Sequence, residues 1–365
     1  MVTSDTDSTL ALIRDQATRL LGNAATPEHL KALLDNSPGF DQTLWHSAAE
    51  QGWPAIALAE EQGGIGLGWR GLCELMQVLG QHTGSLPLAA SALAAHALAS
   101  SENTDAAGQY LASLAAGEIS ACVAFAEPGD AGTGIPAQRC RLIDGRLNGA
   151  KAVTPFAAVA DIALVCAQDG QHTQCLLVPL AQPGVTREPV NVLDNARAAA
   201  ALVFSDAHCY PLAGTLPCQA LLCLYALAAA FEQIGGAEAA MTMARDYALE
   251  RSAFGQPIGR FQAIKHKIAD MYWRTEIARG CAIDALDAVE QQTPHWQSLC
   301  AMARIAATDA YEFASRENIQ VHAGIGVTWE AMPHHYYRRS RSLALEVGSL
   351  QSWRNLLLDA TGIVA

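Results

Sequence analysis

The chain has 365 residues, 51% of them hydrophobic and 16% charged, with 29 Gly and 15 Pro; such a composition builds a large folded core and excludes a disordered chain. A net charge of -13 without any basic cluster or tail argues against nucleic-acid partners and membrane insertion or surface binding, so an anionic ligand must be met by individually placed arginines. The low charged fraction points to surface buried between subunits, and hence to an oligomer.

The first residues, MVTSDTDSTL, are acidic and polar and do not read as a signal peptide. The apolar run Leu221 to Phe231 is too short to span a bilayer, so a cytoplasmic location is expected. Ten cysteines lie singly, without a C-x-x-C, and are expected to be free buried thiols.

Residues 1–118 read as a helical N-terminal domain. SALAAHALAS and AGQYLASLAAG carry helical spacing, punctuated at Ser37-Pro38-Gly39 and between Glu61 and Gly68. Residues 119–213 change character. ACVAFA, CRLI, DIALVCA, QCLLVPL and AALVFSD are β-prone runs, with turn signals at Asp144-Gly145, Asn148-Gly149 and Asp169-Gly170. No helix intervenes, so an antiparallel β-barrel or sandwich is expected rather than a βαβ unit. No G-x-G-x-x-G follows a strand, which counts against a Rossmann site. Residues 214–365 read as a C-terminal bundle of about four helices: Cys218 to Glu250, Ile258 to Gln291, His295 to Val321, and His334 to Asp359. The fold expected is therefore mainly α with a central β domain.

The bundle is interrupted at RSAFGQPIGRFQAIKHKIADM, Arg251 to Met271. A helix ending near Arg251, reversing at Gly255-Gln256-Pro257 and restarting at Ile258 makes a helical hairpin. Arg251 and Phe254 at its tip have two readings. The guanidinium can hold a phosphate bidentately while the ring packs on a heterocycle; equally, the arginine can cap its helix and the ring fill the bundle end. In NIQVHAGIGVTWE, Gly324 and Gly326 would let backbone N–H groups approach an anion, with Gln320 beside them. His322, His334 and His335 read as exposed helix-surface or loop histidines rather than a metal cluster, and Lys265 and His266 as a solvated helix face.

The Arg251 to Met271 segment resembles the acyl-CoA dehydrogenase signature R-x-x-F-G-x-x-I-x-x-F-Q-x-I-x-x-x-x-A-D-M. LAEEQGGIGLGW resembles that family's P-E-E-x-G-G-x-G, AFAEPGDAG its T-E-P-x-A-G-S-D, LNGAKAVTPFAAVADIALVCA its L-x-G-x-K-x-x-I-T strand pair, and QVHAGIGVTWE its Q-x-x-G-G-x-G-x-x-x-E. The resemblance implies FAD between the β domain and the bundle, its adenosine diphosphate crossing a dimer interface. By the same resemblance, Arg251 and Phe254 reach the neighbouring subunit's FAD, and Gln262, Gln320 and Gly324 also meet the dinucleotide. Backbone from Ala126 to Thr133, the Thr154 hydroxyl, and Ser349 and Gln351 fall at further cofactor positions. The implied reaction is α,β-dehydrogenation of an acyl-CoA thioester: a carboxylate takes the α-proton, the flavin accepts hydride, and an electron-transferring flavoprotein reoxidises it.

The base is the departure. The family's Glu-Gly-Thr-x-Gln aligns with VGSLQ, which puts Val347 at the glutamate position and Glu346 one residue before it. A second position that some relatives use, upstream of R-x-x-F-G, falls at Tyr225 or Ala226. Glu232 is the nearest carboxylate on that helix, either a buried structural partner of an arginine or a displaced base. Ala126, Thr133-Gly134 and Ala323 depart further from the family's motifs. FQAIKHKIADM with GIGVTWEAMPHHYYRR resembles the subgroup acting on bulky and steroid side-chain acyl-CoAs, whose members often form α2β2 heterotetramers. The chain is thus either a dehydrogenase with an atypical base or a non-catalytic partner subunit that supplies FAD contacts.

Overall fold

The structure is a computed structural model that describes residues 2–36, 39–129 and 139–361, without the side chains of residues 2–7 and 361. Helices come first: α1 (Val2–Ala24), α2 (Pro27–Asn36), α3 (Gln42–Glu50), α4 (Gly68–Gln81), α5 (Leu88–Ala99) and α6 (Thr104–Ala115). Their starts are set locally. Asp41 accepts from the Leu44 N–H at 3.0 Å and Asn103 from the Ala106 N–H at 3.0 Å, so each satisfies a donor that its helix leaves free. The alanine-rich α5 is buried on nearly every side, which its small side chains permit.

Strands follow: β1 (Ala121–Ala124), β2 (Arg141–Ile143), β3 (Arg146–Thr154), β4 (Ile162–Asp169), β5 (His172–Pro179), β6 (Val185–Val190), β7 (Ala199–Ala207) and β8 (Tyr210–Pro211). They run in the order β6-β7-β3-β2-β4-β5-β8, with β1 on β4, and among the described residues this sheet does not close into a barrel. Most pairings are antiparallel as expected, but β1 joins β4 in parallel, Ala121 opposite Ile162, and so does β2 through Arg141 and Gln168. Asp144 and Gly145, at φ 51° and 75°, make the expected tight turn between β2 and β3. Asn148-Gly149 does not turn. It lies inside β3 at a register shift against β7, where a Cβ on Gly149 would come within 2.7 Å of Cys140 Cα.

The C-terminal helices are α7 (Cys218–Glu250), α8 (Gln262–Glu290), α9 (Trp296–His322), α10 (Pro333–Glu346) and α11 (Leu350–Thr361). α7 is long and apolar enough to cross a membrane by length and composition, but its apolar window is wholly buried in the protein core. It crosses α4 at glycines: a Cβ on Gly80 would lie 1.9 Å from the Glu232 carbonyl, and one on Gly235 1.9 Å from that of Gln77. This contact presses Glu232 into the centre of the molecule. α8 leaves Tyr272, Trp273, Ile277 and Ile283 exposed, an apolar stripe of the kind subunit contacts cover. One expectation about cysteines is corrected: Cys166 in β4 and Cys218 at the start of α7 form a disulfide, because packing brings their Cα atoms to 6.3 Å. The other eight are free, all but Cys281 fully buried.

Candidate active site

An open cleft of about 450 Å³ lies between the sheet and α10. Val153 and Pro155 at the end of β3, Val190 and Leu193 of the β6–β7 region, and Leu345 of α10 give it an apolar lining, and Arg197, Arg341, Asp194 and Glu346 give it charge. Val153, Val190, Leu193 and Leu345 are all exposed there, a cost that a ligand or partner covering the cleft would relieve.

Behind the wall lies a buried chain of ion pairs. Arg339 of α10 reaches Asp194 through Nε at 2.5 Å and Glu232 through Nη1 at 3.0 Å. Arg197 reaches the same Glu232 oxygen through Nη1 at 2.9 Å and Glu346 through Nη2 at 2.8 Å. Its guanidinium also lies 4.8 Å from the Phe156 ring centroid. Burial alone would raise the Asp194 carboxyl, but Arg339 holds it below its ordinary value. Glu346 goes the other way: burial pushes it up, and Arg197 only partly opposes this. Burial likewise pushes the Tyr225 hydroxyl up, with Glu346 adding to the effect.

The two carboxylates singled out from sequence are thus joined through one arginine but differ in place. Glu346 ends α10 on the cleft wall, its side chain 7% exposed, whereas Val347 is 1% exposed and turned into the core. Glu232 is 1% exposed, does not line the cleft, and is spanned by two guanidiniums. Sequence reasoning did not find Arg197, Asp194 and Arg339; the signal was the pair of opposite charges in NVLDNARAAA and the arginine run in HHYYRRSRS.

The hairpin makes a second pocket, of about 570 Å³, lined by Arg251, Phe254, Phe261, His322, Ala323 and Gly324. Its turn differs from expectation. Phe254 and Gly255, at φ 53° and 81°, reverse the chain inside a two-residue ladder of Ser252–Ala253 on Gln256–Pro257, and α8 starts only at Gln262. Phe254 is 96% exposed, and Arg251 is exposed and makes no ion pair among the described residues. Ala323, where the family motif has glycine, sits at φ 54°, ψ -138°, a conformation that strains any residue with a Cβ. Gln262 and Gln320 are exposed and lie outside the lining of this pocket.

The remaining expected contacts are dispersed. Ala126 is half-buried, and its carbonyl accepts from the Ala152 N–H at 2.9 Å. Thr154 is buried and donates its hydroxyl to the Ala152 carbonyl at 2.9 Å, between the cleft residues Val153 and Pro155. Thr133 lies outside the described residues. Ser349 accepts from the Ser352 N–H at the start of α11, and Gln351 is exposed and bonded to Asn355. Glu127 of AFAEPGDAG is a structural anchor: its buried carboxylate accepts from the Arg139 and Cys140 N–H groups at 2.8 and 2.9 Å and pairs with Lys151. The histidine expectation is corrected. His322, His334 and His335 are buried, because His322 stacks on Tyr247 at 4.1 Å, and His334 stacks on Trp329 at 5.3 Å and lies against His335. Burial lowers the affinity of all three for a proton, His335 to about 4.

A helical domain, a β-sheet and a helical bundle surround an apolar cleft with a buried, proton-prone carboxylate on its wall, an arrangement suited to binding a small molecule and taking a proton from it. The acyl-CoA dehydrogenase N-terminal domain matches residues 7–118 and the family's C-terminal domain residues 219–361. The acyl-CoA dehydrogenase IpdE2 of Mycobacterium tuberculosis is 32% identical over 334 residues, 91% of each chain. The solved Tcur3481-Tcur3483 steroid ACAD variant superposes with a TM-score of 0.91 at 27% identity, covering 99% of this chain and 100% of that one. The ChsE4-ChsE5 complex from Mycobacterium tuberculosis superposes at 0.88 and 24% identity, covering 98% of each, a likeness of fold. The chain belongs to the acyl-CoA dehydrogenase family: it is an oxidoreductase acting on acyl-CoA, with FAD as cofactor. The second pocket fits part of such a cofactor, since it presents an unpaired guanidinium and a bare aromatic ring to one concave surface.

Proposed function

We propose that Glu346 is the base that removes the α-proton of a bulky acyl-CoA thioester bound in the cleft. One observation carries this. Of the two carboxylates on the cleft wall among the described residues, Asp194 is held ionised by Arg339, whereas burial leaves Glu346 prone to accept a proton. A bound FAD would supply the hydride-accepting chemistry at the β-carbon. The chain's own residues orient the thioester against Val153, Leu193 and Leu345, exclude water, and hold the abstracted proton on Glu346. Glu232 remains the structural partner of Arg197 and Arg339. At the hairpin, Arg251 would hold the diphosphate and Phe254 would pack on a ring of a neighbouring subunit's FAD, with Gly324 lining the same pocket. The cleft volume and the likeness to an enzyme titled a steroid ACAD favour a ring-bearing acyl group. An electron-transferring flavoprotein would reoxidise the flavin, in the cytoplasm. The division into units at about residues 118 and 213 follows the change of element type.

A second reading has its own support: Val347 stands buried where the family keeps its glutamate, and Ala323 strains the clasp, as in a subunit that shapes a heterotetramer without doing chemistry. Flavin bleaching with a panel of acyl-CoA thioesters separates the two. Bleaching by the chain purified alone, lost in Glu346→Gln, supports the first reading; bleaching only after co-expression with a neighbouring-gene partner, unchanged by Glu346→Gln, supports the second.

A further inference from the structure

Glu346 occupies an awkward place for a carboxylate. It closes α10 at the C-terminal end, where the helix dipole disfavours negative charge, and its side chain is almost out of water. One arginine answers it directly. The backbone on either side of Arg197 is fixed, since Ser85 donates to the Ala196 carbonyl at 2.5 Å and the Ala198 N–H donates to the Gly39 carbonyl at 2.9 Å; Phe156 lies against the guanidinium and Glu232 takes its Nη1, while its buried Nε has no hydrogen-bond partner among the described residues. The remaining groups around Glu346 act without contact. They are Tyr225 on α7, Arg304 on α9, Asp194 beside Arg197, and Arg339 on α10; Arg341 on α10 is paired away to Glu312.

We propose that Arg197 is the positioning residue for Glu346: its Nη2 ion-pairs with the carboxylate at 2.8 Å on the cleft wall, and Glu232, which holds Nη1 of the same guanidinium at 2.9 Å, tunes the base from the far side. This rests on Glu346 being the base. The logic has a sign. Removing Arg197 takes away the contact that favours ionised Glu346, so its titration moves to higher pH. Removing the charge of Glu232 takes away a competing anion and leaves Arg197 to Glu346 alone, so the titration moves to lower pH.

The experiment titrates the Glu346 carboxyl band by infrared difference spectroscopy in the FAD-loaded, assembled protein, with Glu346→Gln assigning the band. Arg197→Gln is expected to raise the midpoint by about one pH unit or more, Arg197→Lys by less, and Glu232→Gln to lower it. The acid limb of flavin bleaching should move with the midpoint. Should Arg197→Gln fail to fold, Arg197→Lys and Glu232→Gln still carry opposite signs. An unmoved midpoint in the Arg197 variants, or an upward shift in Glu232→Gln, overturns the proposal. Full turnover in Glu346→Gln sinks the base assignment instead, a separate result, since the infrared midpoint does not depend on turnover.

Discussion

The cleft and the hairpin pocket both use arginine and apolar surface, yet in opposite ways. At and behind the cleft wall Arg197 and Arg339 are buried and tied to three carboxylates, so charge there is settled inside the fold. At the hairpin, among the described residues, Arg251 has no carboxylate partner and Phe254 is 96% exposed. Buried charge left unpaired costs several kcal/mol, so the cleft network must be complete before any ligand arrives. An exposed guanidinium costs little while it waits, and it gains when an anion docks. The lesson is one of timing: the cleft is organised by folding and the hairpin by assembly.

Four substitutions test this contrast. The largest effect is expected in the cleft, where Glu346→Gln should slow flavin bleaching by roughly 10²- to 10⁴-fold while leaving the circular dichroism spectrum intact. Next, Glu232→Ala should lower stability by about 3–5 kcal/mol in denaturant unfolding, because two buried guanidiniums lose their shared partner. A variant as stable as wild type would mean that the network is not settled inside the fold. At the hairpin the prediction reverses: Arg251→Gln should leave unfolding unchanged and weaken FAD retention by about 10-fold, measured by flavin released on dilution. Smallest is Ala323→Gly, expected to add about 1 kcal/mol by relieving the positive-φ strain. No gain would mean that the loop relaxes around the methyl group.

A pH series sharpens the comparison further. Glu346 binds its proton more readily in the folded than in the unfolded chain, so its contribution to stability is present below the ordinary glutamate range and is lost as pH rises through its folded value. The stability of wild type minus that of Glu346→Gln should therefore decline from pH 4.5 to pH 8 in thermal melts. A flat difference would place the carboxyl in water.

How much was legible from sequence follows the same division. The hairpin announced itself because its motif is contiguous: Arg251, Phe254 and Gly255 are neighbours in the chain, and local turn chemistry sets them. Even so, the reversal at Phe254-Gly255 was read one residue late, since a positive φ at phenylalanine has no sequence signature. Strands β1, β2, β4, β5 and β7 were read from their apolar runs, but the largely exposed β6, VTREPV, carries no such run, and the parallel pairing of β1 on β4 is long-range and leaves no local trace. The cleft was half-legible. Glu232 stood out as a carboxylate in an apolar run and Glu346 by standing one residue before the family's glutamate position, whereas Arg197, which joins them, lies 35 residues from Glu232 in the chain and needed the fold to be seen. The histidines misled because a polar side chain on a helix or loop reads as exposed, and only the fold stacks His322 on Tyr247 and His334 on Trp329 and sets His335 against His334.

The assignment of the base is tested most directly by exchange of the α-proton of a bound acyl-CoA in deuterated water, which follows proton abstraction without requiring hydride transfer. Wild type should incorporate deuterium at the α-carbon, and Glu346→Gln should do so at least 100-fold more slowly. Incorporation at the wild-type rate in Glu346→Gln would contradict the account.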